Sequence, residues 1–267
     1  MDKEIISIAT TNPITLKPDD ILGDAIKIMA KRGFRRLPIV HDMYLVGILT
    51  ATDVLKALNE GNPKILETPI DSFMTPEPFF VYRDVGLSSA IDLMFQHDLG
   101  SLPIIAEGSE TLAGIVTERD LVKHFSEVAD ADLSEFITNN PITLPFDTSD
   151  ISTIIESMVN STIRRAILVD GGNNVKGIVT STDVLRFVSD QIIKFGTLKK
   201  EIFKVKANEI AKTNVSTVSY NSSMADVAAM LAEKGMGGVP VTNEKNELVG
   251  IFTERDLLRV IALYRLM

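Results

Sequence analysis

The sequence contains no cysteine, which excludes disulfide frameworks, thiol catalysis and zinc sites built on cysteine. It also lacks any apolar run of the roughly 18 residues that a membrane span needs. Its first residues, Met1-Asp2-Lys3-Glu4, are not a basic region followed by an apolar core, so no signal peptide is visible. These absences predict a cytoplasmic protein with no membrane partner.

Basic residues are scarce as well, because 27 Lys and Arg stand against 36 Asp and Glu, for a formal net charge of −9. A nucleic-acid-binding protein is expected to carry a basic footprint, so this balance disfavours nucleic acid as a partner. The three histidines, His41, His97 and His124, fall at unrelated places and suggest no metal site or catalytic base. No Gly-x-Ser-x-Gly elbow and no P-loop occurs, so the sequence predicts no enzyme activity.

One string, by contrast, occurs four times at nearly even spacing. It is Gly-Ile-apolar-Thr-x-x-Asp, and it begins at Gly47, Gly114, Gly177 and Gly250. Each copy follows an opening strand, an amphipathic helix, a second strand and a polar turn, and each precedes a second helical pattern. Four copies of one pattern over the whole chain indicate a repeat protein.

The repeats predict an α/β (α+β) fold of four tandem β-α-β-β-α units, at 1–62, 63–127, 128–195 and 196–267. In the first unit, Asp19 or Asp20 is the expected N-cap of a helix that ends near Gly33. In the fourth unit, Ser222 or Ser223 is the expected cap of a helix that ends at Gly235.

The units also alternate in kind. The odd units carry an arginine doublet before the second strand, whereas the even units have small residues there: Arg35-Arg36 and Arg164-Arg165 against Gly100-Ser101 and Gly237-Gly238. This order predicts a duplicated two-unit module, with modules at 1–127 and 128–267 and a boundary near 127–132. Because a unit of about 60 residues has a thin core, we expect paired units to associate through exposed sheet faces.

These features resemble the CBS domain, which is named after cystathionine β-synthase, in four copies over essentially the whole chain. CBS domains work in pairs called Bateman modules, so the resemblance implies two modules. Four such units with little else are similar to the gamma subunit of AMP-activated protein kinase and its stand-alone prokaryotic relatives. The resemblance implies a regulatory protein without catalysis or a catalytic cofactor, which binds AMP, ADP or ATP in clefts between paired units. Ile14 and Ile142, in two opening strands, are then candidates for the adenine cleft.

An aspartate at the start of a helix can accept hydrogen bonds from the two ribose hydroxyls, and a helix N-terminus suits phosphate. The candidate ribose ligands are Asp53, Asp120, Asp183 and Asp256, and the threonines that can add a hydroxyl contact to ribose or phosphate are Thr50, Thr117, Thr180 and Thr253. The alternative is that Thr-x-x-Asp is a helix capping box, which needs no ligand. Because a capping box prefers the longer Glu or Gln, four aspartates favour a binding site.

Arginine doublets are suited to phosphate, because a guanidinium group pairs with an oxyanion through two hydrogen bonds. Arg35, Arg36, Arg164 and Arg165 are therefore candidate phosphate ligands, with surface ion pairs as the alternative. Arg119 and Arg255 are possible phosphate ligands too, although each lies between acidic residues and local salt bridging explains it equally well. For the even units, arginines of a neighbouring unit would then hold the phosphate.

The third unit departs from the pattern, because it has Arg165-Ala166-Ile167 where the other units have an apolar residue and proline. We expect its strand to enter the sheet at a different angle. The function predicted overall is a sensor that binds adenine nucleotide and signals to a protein partner or acts as a homodimer. The alternatives are a protein that binds S-adenosylmethionine or methylthioadenosine, and a CBS scaffold for protein assembly without ligand sensing.

Overall fold

The computed structural model describes residues 3–62, 64–124 and 131–265. Within these ranges the helices are α1 Leu22–Arg32, α2 Ala51–Asn59, α3 Leu87–Gln96, α4 Glu118–His124, α5 Ile151–Asn160, α6 Ser181–Phe195, α7 Met224–Lys234 and α8 Glu254–Arg265. The strands are β1 Thr10–Thr11, β2 Arg36–His41, β3 Tyr44–Thr50, β4 Thr75–Pro76, β5 Val81–Tyr82, β6 Ser101–Ile105, β7 Leu112–Thr117, β8 Thr138–Asn139, β9 Thr143–Pro145, β10 Arg165–Val169, β11 Val175–Thr180, β12 Val218–Ser219, β13 Gly238–Thr242 and β14 Leu248–Thr253. None of the helices in the described part of the chain is long and apolar enough to cross a membrane.

The predicted order of elements is confirmed in all four repeats. In the second repeat it is β5, α3, β6, β7 and α4, with β5 parallel to β6 and β6 antiparallel to β7. In the first repeat the opening strand is reduced to a single parallel bridge between Leu16 and Ile39. The helix ends at Gly33 and Gly235 are also confirmed, and both glycines adopt the left-handed conformation that terminates a helix at little cost.

The predicted start of α1 is wrong. Its N-cap is Ile21, which makes no side-chain capping bond, because the Asp20 carboxylate instead accepts the N–H of Lys17 at 2.7 Å. In α7 the N-cap is Ser223, as expected by position, but its hydroxyl makes no capping bond. Neither of these two helix starts is therefore stabilised by a side-chain cap.

The short segment ahead of each repeat pairs with the sheet of another repeat. These exchanged segments are reciprocal between repeats one and two and between repeats three and four. The paired residues are Thr10 with Ile115, Thr75 with Ile48, Thr138 with Ile251, and Lys212 with Ile178. Each sheet is therefore completed by a segment that the sequence places outside its own repeat.

The glycine of the repeated string lies against the exchanged segment. A Cβ atom on Gly114 would lie 3.0 Å from the backbone oxygen of Thr10, and one on Gly47 would clash with Sδ of Met74. A Cβ on Gly250 would lie 2.7 Å from Cδ1 of Ile137. At Gly114 the nearest atom belongs to the backbone, which cannot easily move, whereas at Gly47 and Gly250 it belongs to the end of a side chain.

The described residues form two compact units, each built from alternate repeats. The odd unit consists of 14–78 and 142–215, where α1 packs on α6 and α2 packs on α5 around a shared apolar core. The even unit consists of the described residues of 1–13, 79–141 and 216–267, where α4 packs on α7 and α8 around a second core. Helix faces therefore join the two repeats of each unit.

These compact units combine alternate repeats, whereas the predicted modules at 1–127 and 128–267 combine sequential ones. Residues 127–130 of the predicted boundary lie outside the described residues. The division into sequential modules and their pairing through sheet faces stay predictions. Segments are exchanged between repeats one and two and between repeats three and four, which are the pairs of repeats that the predicted modules combine.

Candidate functional site

Each Thr-x-x-Asp string folds as a helix cap at the junction of the third strand and second helix. In the first repeat, the N–H and the hydroxyl of Thr50 both donate to Oδ2 of Asp53, at 2.9 and 2.7 Å. The N–H of Asp53 donates back to Oγ1 of Thr50 at 3.3 Å, which completes a capping box. The same threonine-to-aspartate bonds form in the other repeats, in the pairs Thr117 and Asp120, Thr180 and Asp183, and Thr253 and Asp256. The reciprocal bonds of a capping box are complete in the first and third repeats, so an aspartate serves there in place of Glu or Gln.

Capping leaves these aspartates able to bind a ligand, because every cap bond ends on one oxygen, Oδ2. An ionised carboxylate has a second oxygen that accepts further hydrogen bonds, so ribose can be held by Oδ1 of the same side chain. The capping box and a ribose site are thus compatible. The ribose role of the four aspartates and the ligand contacts of the four threonines stay predictions.

The arginine doublets lie beside the junctions of their own repeats. Arg36 pairs with Thr50 across β2 and β3, and the carbonyl of Arg35 accepts the N–H of Ala51 at 2.8 Å. In the third repeat Arg165 pairs with Thr180 in the same register, and the carbonyl of Arg164 accepts the first N–H of α6 at 3.1 Å. All four arginines are half-buried. Each odd repeat thus has its two arginine residues at the strand end where its capped aspartate lies.

The even repeats present small residues at the same register. Ser101 pairs with Thr117 across β6 and β7, and Gly238 pairs with Thr253 across β13 and β14. The backbone geometry matches that of the odd repeats, since the carbonyls of Gly100 and Gly237 accept the first N–H of α4 and α8. The two kinds of junction therefore differ in charge and not in backbone fold.

The third repeat keeps this register although it lacks the apolar–proline pair. Leu168 lies opposite Gly177, as Ile39 lies opposite Gly47 in the first repeat, and both strands shift register at the next residue. The expected change in how this strand enters is not seen in its pairing. The junction around Asp183 is therefore built like the other three.

Arg119 and Arg255, the possible phosphate ligands, form ion pairs between the second and fourth repeats. Nε of Arg119 donates to Glu254 at 2.9 Å, and Nε of Arg255 donates to Glu118 at 3.0 Å. Arg255 also donates to the Asp98 carboxylate at 2.7 Å. The sequence suggested local salt bridges. The observed salt bridges instead join the two repeats of the even unit. A phosphate contact for these arginines stays a prediction.

The Asp183 junction contains two cations that sequence reasoning missed. Nζ of Lys212, in the exchanged segment, lies 3.1 Å from Oδ1 of Asp183, and an Arg186 nitrogen lies 3.5 Å from the same oxygen. Lys212 is far from Asp183 in sequence, so no local pattern could have linked the two. Arg186 stands three residues after Asp183, and this helical spacing was the available signal.

Burial raises the pKa of Asp256, while the hydroxyl and amide of Thr253 and the nearby Arg259 and Arg255 act in the opposite direction. Desolvation penalises the charged form of the carboxylate, because burial removes the water that would solvate it. A ligand hydroxyl donated to it would replace lost hydration. The ribose role of Asp256 stays a prediction.

The candidate adenine residues are apolar and partly exposed at the start of their opening strands. Ile14 is 37% exposed and Ile142 is 40% exposed. Phe79, which sequence reasoning did not single out, stands in the matching place of the second repeat and stacks on His97 with ring centroids 4.3 Å apart. An adenine role for the two isoleucines stays a prediction. Across the described ranges, no group of three or more His, Cys, Asp or Glu side chains could hold a metal ion.

Four β-α-β-β-α units with capped strand–helix junctions define a CBS-domain repeat protein. The sequence profile of the CBS domain matches four stretches, at 3–60, 70–127, 133–190 and 207–263, so the chain belongs to this family. The profile and the structure thus agree on four copies.

Among individual proteins, the chain is similar to MJ1225 of Methanocaldococcus jannaschii, with 24% identity over 270 residues that cover 93% of this chain and 95% of MJ1225. The crystal structure of MJ1225, proposed as an archaeal homologue of g-AMPK, superposes with a TM-score of 0.86 at 23% identity over 97% of this chain and 100% of that one. A structure from Pyrococcus horikoshii gives a TM-score of 0.64 at 19% identity, over 97% and 100% of the two chains. MJ1404 of M. jannaschii is 26% identical over 98% of this chain, which spans 62% of that longer protein.

Proposed function

We propose that the protein is a non-catalytic regulatory sensor that binds adenine nucleotides at its Thr-x-x-Asp junctions and signals their occupancy to a protein partner. The observation that carries the proposal is the register of the odd repeats, in which an arginine doublet pairs across from the junction threonine. In this proposal the capped aspartate accepts from ribose, and the helix N-terminus and the arginine doublet at the same strand end receive the phosphate. These are the groups that an adenosine phosphate requires.

In this proposal Asp53 and Asp183 accept the ribose hydroxyls through Oδ1, and the arginine doublets of the same repeats hold the phosphate. Asp120 and Asp256 serve ribose in the even repeats, where small residues replace the doublet. The four threonines orient the aspartates through the capping bonds and add a hydroxyl at the junction. AMP, ADP and ATP share the ribose and the first phosphate, and they differ in the number of phosphate groups and therefore in length and negative charge.

The signal requires that the ligand binds two states of the protein with different affinity. Each junction joins a strand to the helix that packs on the other repeat of its compact unit, α2 on α5 and α4 on α8. A ligand bound at the N-terminus of such a helix therefore contacts an element that also packs on the other repeat. The partner, or a second copy of the chain, would bind one of these two states.

The chain is further proposed to work as two sequential modules, 1–127 and 128–267. The support for this division is that exchanged segments are reciprocal within each half of the chain. Expressed separately, the halves should keep their sheets but expose the helix faces that form the two cores. We expect each half to show a cooperative melting transition, and the absence of a transition in both halves would contradict the two-module proposal.

Calorimetric titration with AMP, ADP, ATP, adenosine, S-adenosylmethionine and methylthioadenosine tests the function. We expect Asp183→Asn to weaken adenosine and AMP alike, because asparagine keeps an oxygen for the cap but presents a donor to ribose. We expect Arg164→Ala with Arg165→Ala to weaken AMP by about tenfold or more and to leave adenosine nearly unchanged. Lys199→Ala with Lys200→Ala, which removes two exposed charges elsewhere in the odd unit, is the matched control.

The outcomes separate the alternatives. If the arginine double variant binds AMP as tightly as the parent, the phosphate assignment is wrong and the doublets are structural. Tighter binding of S-adenosylmethionine or methylthioadenosine than of AMP would change the ligand class. Absence of heat with every ligand would leave the CBS scaffold as the function.

A further inference from the structure

The Asp183 junction differs from the other three in the residue that the exchanged segment presents to it. Lys212 exchanges two backbone hydrogen bonds of 3.0 Å with Ile178, two residues before Thr180. In the other sheets the residue paired at this register is a threonine, namely Thr10, Thr75 and Thr138. All four positions lie within the described residues, and lysine occurs in one of them.

Lys212 engages the oxygen of Asp183 that the cap does not use. Its Nζ lies 3.1 Å from Oδ1, while Oδ2 accepts the N–H of Thr180 at 2.9 Å. The carboxylate side chain is 7% exposed and the lysine side chain is 58% exposed. The ammonium group therefore lies on the solvent side of a buried carboxylate, where an arriving ligand meets it first.

The cations near this carboxylate outnumber it. Arg186 contributes a nitrogen at 3.5 Å from Oδ1, and the doublet of Arg164 and Arg165 lies at the adjoining strand end. The first repeat has a doublet as well, but its exchanged segment supplies Thr75 instead of a lysine. The third repeat thus has Lys212 beside its junction where the first repeat has the neutral Thr75.

We propose that Lys212 makes the Asp183 junction selective for adenosine phosphates over neutral adenosine and over the sulfonium compound S-adenosylmethionine. A ribose hydroxyl that donates to Oδ1 competes with Lys212 for that oxygen. A nucleotide compensates the displaced ammonium with its phosphate, so one ion pair replaces another. Neutral adenosine offers no such replacement, and a sulfonium adds a cation to a cationic site. This selectivity rests on the proposed function, because it requires Asp183 to bind ribose.

The test compares AMP with adenosine by calorimetry on the full-length parent, Lys212→Thr and Lys212→Met. Threonine is the residue that the other three repeats have at this register, so Lys212→Thr is expected to fold, and methionine removes the charge at similar length. The binding at the Asp183 junction is the part of the calorimetric signal that the parent shows and that Asp183→Asn lacks. We expect both Lys212 variants to weaken AMP there by about tenfold and to leave adenosine unchanged or tighter. The matched control is Lys206→Thr, because Lys206 lies in the same segment and its Nζ donates to the Thr148 carbonyl instead.

The results distinguish the two proposals. If Asp183→Asn weakens both ligands but Lys212→Thr changes AMP and adenosine by the same factor, the selectivity proposal alone fails. Equal tightening of both ligands would show that Lys212 merely competes with ribose, which also overturns it. If Asp183→Asn leaves AMP and adenosine binding intact, the ribose role of Asp183 fails, and the selectivity proposal fails with it.

Discussion

Arg119 of the second repeat and Glu254 of the fourth form an ion pair of 2.9 Å, and Arg255 and Glu118 form its mirror image at 3.0 Å. Both glutamates are almost fully buried, at 0% and 2% exposure, whereas both arginines reach solvent. The two pairs join the repeats of the even unit reciprocally. In the odd unit the same helix positions hold Ala51 and Thr52, and Ser181 and Thr182. The difference between Thr-Glu-Arg-Asp and the odd strings is therefore explained by packing between repeats.

Removing one arginine of this reciprocal pair should destabilise the even unit. Arg119→Ala removes a charged donor from the buried carboxylate of Glu254, so we expect a loss of about 1–2 kcal/mol of unfolding free energy, less than for a fully buried pair because 37% of the Arg119 side chain is exposed. Urea denaturation followed by circular dichroism measures the change. The matched control is Thr52→Ala, at the same helix position of the first repeat, which should stay within about 0.5 kcal/mol.

A second variant separates the ion pair from other effects of the substitution. Arg119→Thr combined with Glu254→Ser copies the residues of the odd unit and leaves no buried charge at that point. We expect the double variant to be more stable than Arg119→Ala. If Arg119→Ala alone unfolds like the parent, the pair contributes nothing to the joining of repeats.

The hydroxyl of Ser181 is buried and, among the described residues, makes no hydrogen bond. Such a group forfeits its hydration, at a cost of about 1–3 kcal/mol. Since Ala51 stands in the same position of the first repeat, we expect Ser181→Ala to stabilise the protein by about 1 kcal/mol. Thermal melting checks this, and a lower melting temperature would indicate that the hydroxyl has a partner in solution.

Gly114 should not tolerate a side chain. A Cβ there would lie 3.0 Å from the carbonyl oxygen of Thr10, which is backbone and part of the β1–β7 pairing. We expect Gly114→Ala to loosen the segment of residues 4–11, with faster amide hydrogen exchange there than in the parent. Gly171→Ala, where a Cβ meets nothing within 4 Å, is the control and should leave exchange unchanged. Equal exchange in both variants would contradict the close approach.

Asp170 should titrate well below other aspartates. Hydrogen bonds lower the pKa of Asp170 from 3.8 to about 2. The largest contribution comes from the backbone N–H of Asn174, and the Asn174 side chain, Lys176 and the N–H of Gly172 add to it. Because the pKa is lower in the folded state, its stabilisation is present above about pH 4 and is lost as the pH falls through about 2. Carbon-13 NMR titration of the carboxyl group measures this pKa. We expect Asn174→Ala to raise it, and a parent value near 3.8 would contradict the loop geometry.

The sequence was sufficient for the order of elements within each repeat, because apolar periodicity and turn residues act locally. The antiparallel pairing of consecutive strands, which follows from their order, brings the arginine doublets to the same strand end as the junctions. The N-cap of α1 was predicted wrongly because the Asp20 carboxylate accepts the N–H of Lys17 instead of an N–H of the helix. Local hydrogen bonds of similar strength compete at such positions.

Contacts between distant segments could not be predicted from one sequence. Lys212 reaches Asp183 only because a segment ahead of the fourth repeat completes the sheet of the third. Glu118 and Glu254 resemble solvated residues at helix starts, yet both are buried by the opposite repeat. In each case the decisive neighbour is supplied by tertiary structure, which leaves no periodic signal in the chain.

The exchanged segments also bear on the order in which the sheets form during synthesis on the ribosome. The odd sheets receive their edge residues, Thr75 and Lys212, shortly after their own strands have been made. The even sheets depend on Thr10 and Thr138, which are made long before β7 and β14 and must be captured across a large separation in sequence. Because distant pairings close slowly, the even sheets should be the last to form, and translation pauses before β7 or β14 should lengthen the time for which β1 or β8 stays without its partner.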